Sequence, residues 1–293
     1  MKVSQVLCGV LLVATVPALA LQGVAQNPDT LMPEQSAAKG KQILDELING
    51  LGGRGYTDVR ESECSGRLAT FGHDGGLMGY IDFNDFRHLP DKMRIEYVSK
   101  GRNTILQSLI GVDGLDFKHG GIVITLYNGD HGWTYDSSGV TELPVTAVDE
   151  FREQVERNID ILLRVRLNEP GMEIRFGGND LVDLKKVNWV ELTDTGGRKF
   201  RLAVDRSTHY LVRAVVSTQD SEFNQINEDV TIYANYQLKE SVWTPMQVTH
   251  EHNGRRVSHF FYDTCRYNPG FPDDLFSKTS LQKHGSGEAL KRR

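Results

Sequence analysis

Two periodicities alternate along the chain. Ile43, Leu44, Leu47, Ile48 and Leu51 recur at three- and four-residue intervals, and Gly50, Gly52 and Gly53 follow, which predicts one amphipathic helix beginning near Ala37 and stopped by glycine. The period then falls to two over 60–71, 77–83, 93–97, 122–127 and 132–135, with Gly, Asn and Asp between the runs, as expected of antiparallel strands joined by turns. Residues 100–121 are glycine-rich and mixed, and read as a long excursion with one short strand around 104–107. Asp149 opens a second helical stripe made by Phe151, Val155, Ile159, Leu162 and Leu163, ended by Pro170 and Gly171. Alternation resumes over 187–193, 199–204, 211–217, 229–237, 244–252 and 255–262, and Asn253-Gly254 is a strong two-residue hairpin signal because both positions tolerate positive φ. Each helix has a single apolar face and so needs one sheet to cover, which predicts one mainly β domain over 37–276 rather than two halves.

The ends read differently. Lys2, the apolar stretch from Val6 to Val13, and Ala18-Leu19-Ala20 match the order of a secretory signal, which assigns 1–25 to a cleaved leader and the product to the periplasm or the exterior. Residues 26–36 read as a polar linker and 277–293 as a flexible polar tail. After the leader no run approaches the roughly 20 apolar residues of a spanning helix, so the mature chain is expected not to be integral to a membrane.

Composition narrows the function. With 39% hydrophobic and 25% charged residues in 293, the chain has material for a core. Its 33 Lys and Arg against 39 Asp and Glu give a net charge of -6, the wrong sign for a phosphate-backbone binder, so nucleic acid is not an expected partner. Of the 3 cysteines, Cys8 lies in the leader, which leaves Cys64 and Cys265 as the candidate disulfide in an oxidising compartment.

The strand and turn motifs resemble a known group. Gly79-Tyr80-Ile81-Asp82-Phe83 followed by Leu89-Pro90-Asp91-Lys92-Met93-Arg94, the hairpin Asn128-Gly129-Asp130-His131-Gly132-Trp133-Thr134-Tyr135-Asp136, the pair Tyr233-Ala234-Asn235-Tyr236 and Trp243-Thr244-Pro245, and the closing Pro272-Asp273-Asp274-Leu275-Phe276 are similar to elements of bacterial lipoprotein carriers of the LolA and LolB type and the wider outer-membrane lipoprotein-sorting superfamily. In those carriers a basic residue precedes the proline of the first motif; here Leu89 does, with Arg87 two positions earlier. The resemblance implies a strongly curved, incompletely closed antiparallel barrel with covering helices. It implies a carrier or binding protein for a lipid or lipidated protein, served by a membrane-associated donor or acceptor.

In such a barrel the alternating large apolar residues Ile95, Tyr97, Ile124, Leu126, Trp133, Phe200, Leu202, Met246 and Val248 are the candidate acyl-chain lining. The same fold could instead serve as a non-enzymatic sensor or interaction module with a filled core. A third reading takes His250, His252 and His259, which share a face if the hairpin has a regular register, as ligands for a metal ion. No nucleophile elbow, P-loop or dinucleotide fingerprint occurs; Gly285-Ser286-Gly287 falls in the polar tail, and neither a catalytic residue nor a cofactor is assigned.

Overall fold

The computed structural model describes residues 30–99, 121–220 and 225–285. The proposed leader, the strand expected at 104–107 and the last eight residues lie outside them.

Thirteen strands form a single antiparallel sheet: β1 (Glu61–Phe71), β2 (Leu77–His88), β3 (Lys92–Ser99), β4 (Gly121–Asn128), β5 (His131–Asp136), β6 (Gly139–Glu142), β7 (Glu173–Val182), β8 (Lys185–Thr193), β9 (Lys199–Asp205), β10 (Leu211–Asp220), β11 (Gln225–Lys239), β12 (Val242–His252) and β13 (Arg255–Tyr267). Their spatial order is β6-β5-β4-β3-β2-β1-β13-β12-β11-β10-β9-β8-β7. The chain therefore makes two meanders, joined side by side where the first strand meets the last, and the edge strands β6 and β7 are consecutive in sequence. These are the antiparallel strands expected from the alternation, in the incompletely closed arrangement that the resemblance implies. The strands β6 and β7 are additions to it: β6 has only four residues, and a register shift between Phe176 and Gly178 interrupts the alternation of β7.

The β6-to-β7 connection carries α3 (Val145–Arg157), α4 (Ile159–Ile161) and a π-helical turn (Leu162–Arg166). The expected single helix is thus broken at Asn158, whose backbone is extended (ψ 125°) and whose Oδ1 accepts from the Ile161 amide at 3.0 Å. Phe151 stacks on Tyr127 at 4.1 Å and fixes α3 to β4.

Helix α1 (Pro33–Leu51) begins four residues earlier than the apolar stripe indicated, inside the stretch read as linker. Pro33 at its first position and Gln35, whose Oε1 accepts from the Met32 amide, start it. Its buried face, with Ile43, Leu44 and Leu47, joins Phe176, Val190, Phe200, Leu202 and Val216 in the largest core cluster. Contact with β7 is close: a Cβ on Gly40 would stand 3.0 Å from the Arg175 carbonyl carbon, and the Ser36 hydroxyl accepts from the Phe176 amide at 3.1 Å. The short α2 (Arg54–Thr57) follows, after Gly52 at φ 128°.

The segment after 276 also departs from expectation. Instead of a frayed tail, Lys278–Gly285 forms α5, started by the Ser277 hydroxyl accepting from the Ser280 amide at 3.3 Å. Leu281 is fully buried against Ile124 and Leu126. Below it the guanidinium of Arg94, also fully buried, bonds the Ser280 hydroxyl at 2.9 Å and Glu96 at 3.0 Å. One leucine and one buried arginine hold this helix, too few apolar positions for periodicity to register.

Cys64 and Cys265 are directly opposite across the β1–β13 pair and are joined by a disulfide.

Two measurements follow. Peptide mapping of unreduced, denatured protein should find Cys64 and Cys265 in one linked peptide. Reduction should lower stability by up to about 5 kcal/mol, the chain-entropy value for so long a loop, read as a shift in urea midpoint; free thiols at both positions would refute the linkage. Leu281→Ala should cost about 2–4 kcal/mol in the same assay, as at a packed core site, whereas an undocked tail would lose nothing.

Candidate functional site

A cavity of about 590 Å³ lies on the concave face of the sheet. Strands β1, β2, β10, β11, β12 and β13 wall one side, and α2, the end of α3 and the segment 158–164 wall the other. Its position follows from the topology: the seam strands curve away from the helices that fill the flanks, and the broken connection between β6 and β7 passes over the gap.

The nine nominated lining residues divide sharply. Val248 lines the cavity. Ile95 and Tyr97 are on the concave face but pack with Leu68, Phe83 and Val123. Phe200 and Leu202 are fully buried beneath α1. Met246 is buried outside the cavity wall. Ile124, Leu126 and Trp133 are on the opposite face, under Leu281: Ile95 pairs with Thr125, so the neighbours of Thr125 point away from Ile95. Both faces of β4 are covered, and a strand covered twice is apolar at every position, which hides its parity from sequence.

The histidines do not converge either. A shift between His250 and Glu251 aligns His250 with Ser258 and Thr249 with His259, rather than His250 with Val257. The one-residue slip sends His259 to the other face, where it stacks on Phe261 at 4.1 Å and meets the Thr249 hydroxyl at 3.1 Å. His252 pairs with Asp229 at 2.7 Å, and His250 lines the cavity with Nδ1 3.2 Å from the Thr231 hydroxyl. Among the described residues no group of three His, Cys, Asp or Glu side chains could hold a metal ion.

The wall that the structure does assemble is aromatic and polar. Tyr56, Tyr233, Tyr236, Tyr262 and Tyr267 line it together with Phe260 and Trp243. Tyr236 donates to the Leu211 carbonyl at 2.8 Å, Tyr267 meets the Thr244 hydroxyl at 2.7 Å, and Tyr56 donates to Asp160 Oδ1 at 2.9 Å. Burial pushes all five phenols up, so they remain neutral hydrogen-bonding groups. On β2, Asp85 Oδ2 accepts from Arg87 Nε at 2.9 Å, and this carboxylate holds the guanidinium firmly charged. Across from them Arg164 lies over the Tyr56 ring at 4.2 Å and 3.6 Å from Asp160.

Two features set this second pair in place. The break at Asn158 restarts the helix so that Asp160 and Arg164, four residues apart, face inward. Behind them Arg166 is clamped to Asp194 at 3.0 Å and Glu156 at 3.1 Å, while Arg198 also holds Asp194 at 3.2 Å. Burial acts to raise the Asp194 carboxyl, and hydrogen bonds from Arg166 and Arg198 outweigh it and keep the group below its usual range.

The sequence reading missed Asp85, Arg87, Asp160, Arg164 and the tyrosines because it sought apolar lining alone. Their signal was present: Asp85 and Arg87 two apart on a strand, Asp160 and Arg164 four apart on a helix, and tyrosines concentrated on the last strands.

No known family profile and no curated protein matches the chain. Solved structures do. A DUF1329 family protein from Desulfovibrio piger superposes with a TM-score of 0.51 at 15% identity, covering 83% of this chain and 99% of that one. A structure described as an outer membrane lipoprotein-sorting protein domain, from Vibrio parahaemolyticus, gives 0.50 at 12% identity over 84% and 99%. A LolA superfamily protein from Nitrosomonas europaea gives 0.49 at 13% over 83% and 99%. The first two show the fold: the chain shares the architecture of these two proteins, so the resemblance carried by the hairpin motifs holds at the level of fold. Among the described residues no helix is long and apolar enough to cross a membrane.

The cavity histidine yields a pH prediction. Burial, with the Arg87 charge next, pushes His250 down to about 4 from 6.5. Between those values the unfolded chain binds a proton that the folded chain refuses, so the contribution of neutral His250 is intact above about pH 6.5 and is lost as the pH falls toward 4. His250→Gln should flatten the fall in stability across that window by about 2 kcal/mol, a figure discounted for the ring's partial exposure. Parallel slopes for the two proteins in urea titrations at pH 4.5 to 7 would refute it.

Proposed function

We propose that the protein is an extracytoplasmic binding or carrier protein for a lipid or lipidated partner, holding acyl chains in the concave cavity, with a membrane-associated donor or acceptor. The observation that carries this reading is the cavity itself. A sheet of this curvature could be filled by side chains, as it is under α1, yet about 590 Å³ is left within the wall of β1, β2 and β10–β13, a volume within the range of small-ligand sites. The leader pattern at the N-terminus, the sorting-domain fold and the aromatic wall agree with it. The role is binding and delivery rather than chemistry, and no side chain is assigned as a catalyst.

Mass spectrometry of organic extracts from purified protein should detect acyl species, and a fluorescent fatty acid should bind saturably and be displaced by them. Val248→Trp, which extends an indole into the cavity, should weaken probe binding at least tenfold while the melting temperature shifts by only a few degrees. Folded wild type with no saturable binding would end the carrier reading in favour of an interaction module.

A further inference from the structure

Among the described residues, two atoms in the cavity wall have no hydrogen-bond partner. Asp85 Oδ1 and Arg164 Nε are both buried without a hydrogen bond, and both side chains, each 6% exposed, belong to residues that line the cavity. One is an acceptor and the other a donor. Leaving either unsatisfied in a folded protein is costly, which points to an occupant that supplies the missing partners.

The charges restrict what that occupant is. The carboxylates and guanidiniums of the lining pair off: buried Asp85 with Arg87, the exposed Asp160 with Arg164, and Glu150 with Arg157. An anionic head would approach the buried Asp85 carboxylate at close range, and Asp229, on the same face as His250, adds to the repulsion. A cationic head at Asp85 or Asp160 would sit beside an arginine. A group that donates to Asp85 and accepts from Arg164 without net charge meets neither penalty, and a set of hydroxyls does both. The lining tyrosines supply aromatic surface beside such a head, and the apolar positions Val248 and Phe260 receive the chain.

We propose that the cavity selects an amphiphile with an uncharged, hydroxyl-rich head of the glycolipid class, seated between Asp85 and Arg164. This deepens the lipid-binding reading and rests on it.

The test compares three dodecyl amphiphiles as competitors of a fluorescent fatty acid, each below its micelle concentration: dodecyl β-glucoside, dodecanoate and dodecyltrimethylammonium. The glucoside should displace the probe at least tenfold more effectively than either charged compound. Asp85→Asn and Arg164→Lys, the second keeping the charge but removing the Nε donor, should each reduce glucoside binding about tenfold and erase most of that preference. Equal binding by all three, or preference for a charged head, overturns the head-group assignment and leaves the acyl-binding reading standing. Retained glucoside preference in both variants overturns the seat between Asp85 and Arg164. Displacement by none of the three, in a protein that also fails to bind the probe, ends both readings. If Asp85→Asn does not fold, the ranking by wild type and the Arg164→Lys result decide.

Discussion

Everything in this molecule depends on the pairing of its first strand with its last. β1 contacts β13 through nine register pairs, with Cys64 facing Cys265 and a bulge on β13 near Asp263 that lets the register resume at Gly66 opposite Tyr262. A Cβ on Gly66 would strike the Phe261 carbonyl, so only glycine permits so close an approach there. Without this seam there are two separate meanders, neither with enough width to enclose anything. With it, residues on β2 and residues on β11 and β12 come to face a common space. The cavity is therefore a product of the seam, and the disulfide sits in its wall.

The rest of the architecture trims this space to size. On one flank α1 fills the concave surface completely, leaving Leu47, Phe200 and Leu202 with no exposure. On the other, α5 covers the convex surface of β3–β5 from outside. The connection between the edge strands, pinned by the Arg166, Asp194 and Arg198 cluster, crosses the opening with Asp160 and Arg164 on the cavity wall. Its break at Asn158 matters because a continuous helix from Val145 would carry Asp160 and Arg164 along a different line.

Much of the fold was legible in the sequence, because the strands flanked by solvent alternate cleanly and the turns carry glycine, asparagine and aspartate at their corners. Lys199 and Arg201 against Phe200 and Leu202 show such a strand as plainly in letters as in coordinates. What escaped was decided by covering layers that local pattern does not report. Ile122 to Tyr127 is apolar nearly throughout because α5 lies on one side and the concave core on the other, so no parity could be assigned. α5 itself depends on a single leucine and on Arg94 nearly two hundred residues earlier. The histidine trio failed on one extra residue in a hairpin whose turn was recognised. The cavity residues escaped for a different reason: polar side chains on a concave face look like solvent-facing ones until something is known to stand opposite them.

The order of the strands also bears on how the chain comes into being. β1 is made well before β13, and until β13 exists β1 has β2 on one side and a bare ladder of amide and carbonyl groups on the other. An unpaired edge of eleven residues is a template for strangers as much as for its intended neighbour. The same separation makes the decisive contact a slow one to find, since the loop between its ends must close before any of its bonds contribute. An interior that exists only after β1 meets β13 leaves that edge open to association until β13 is made.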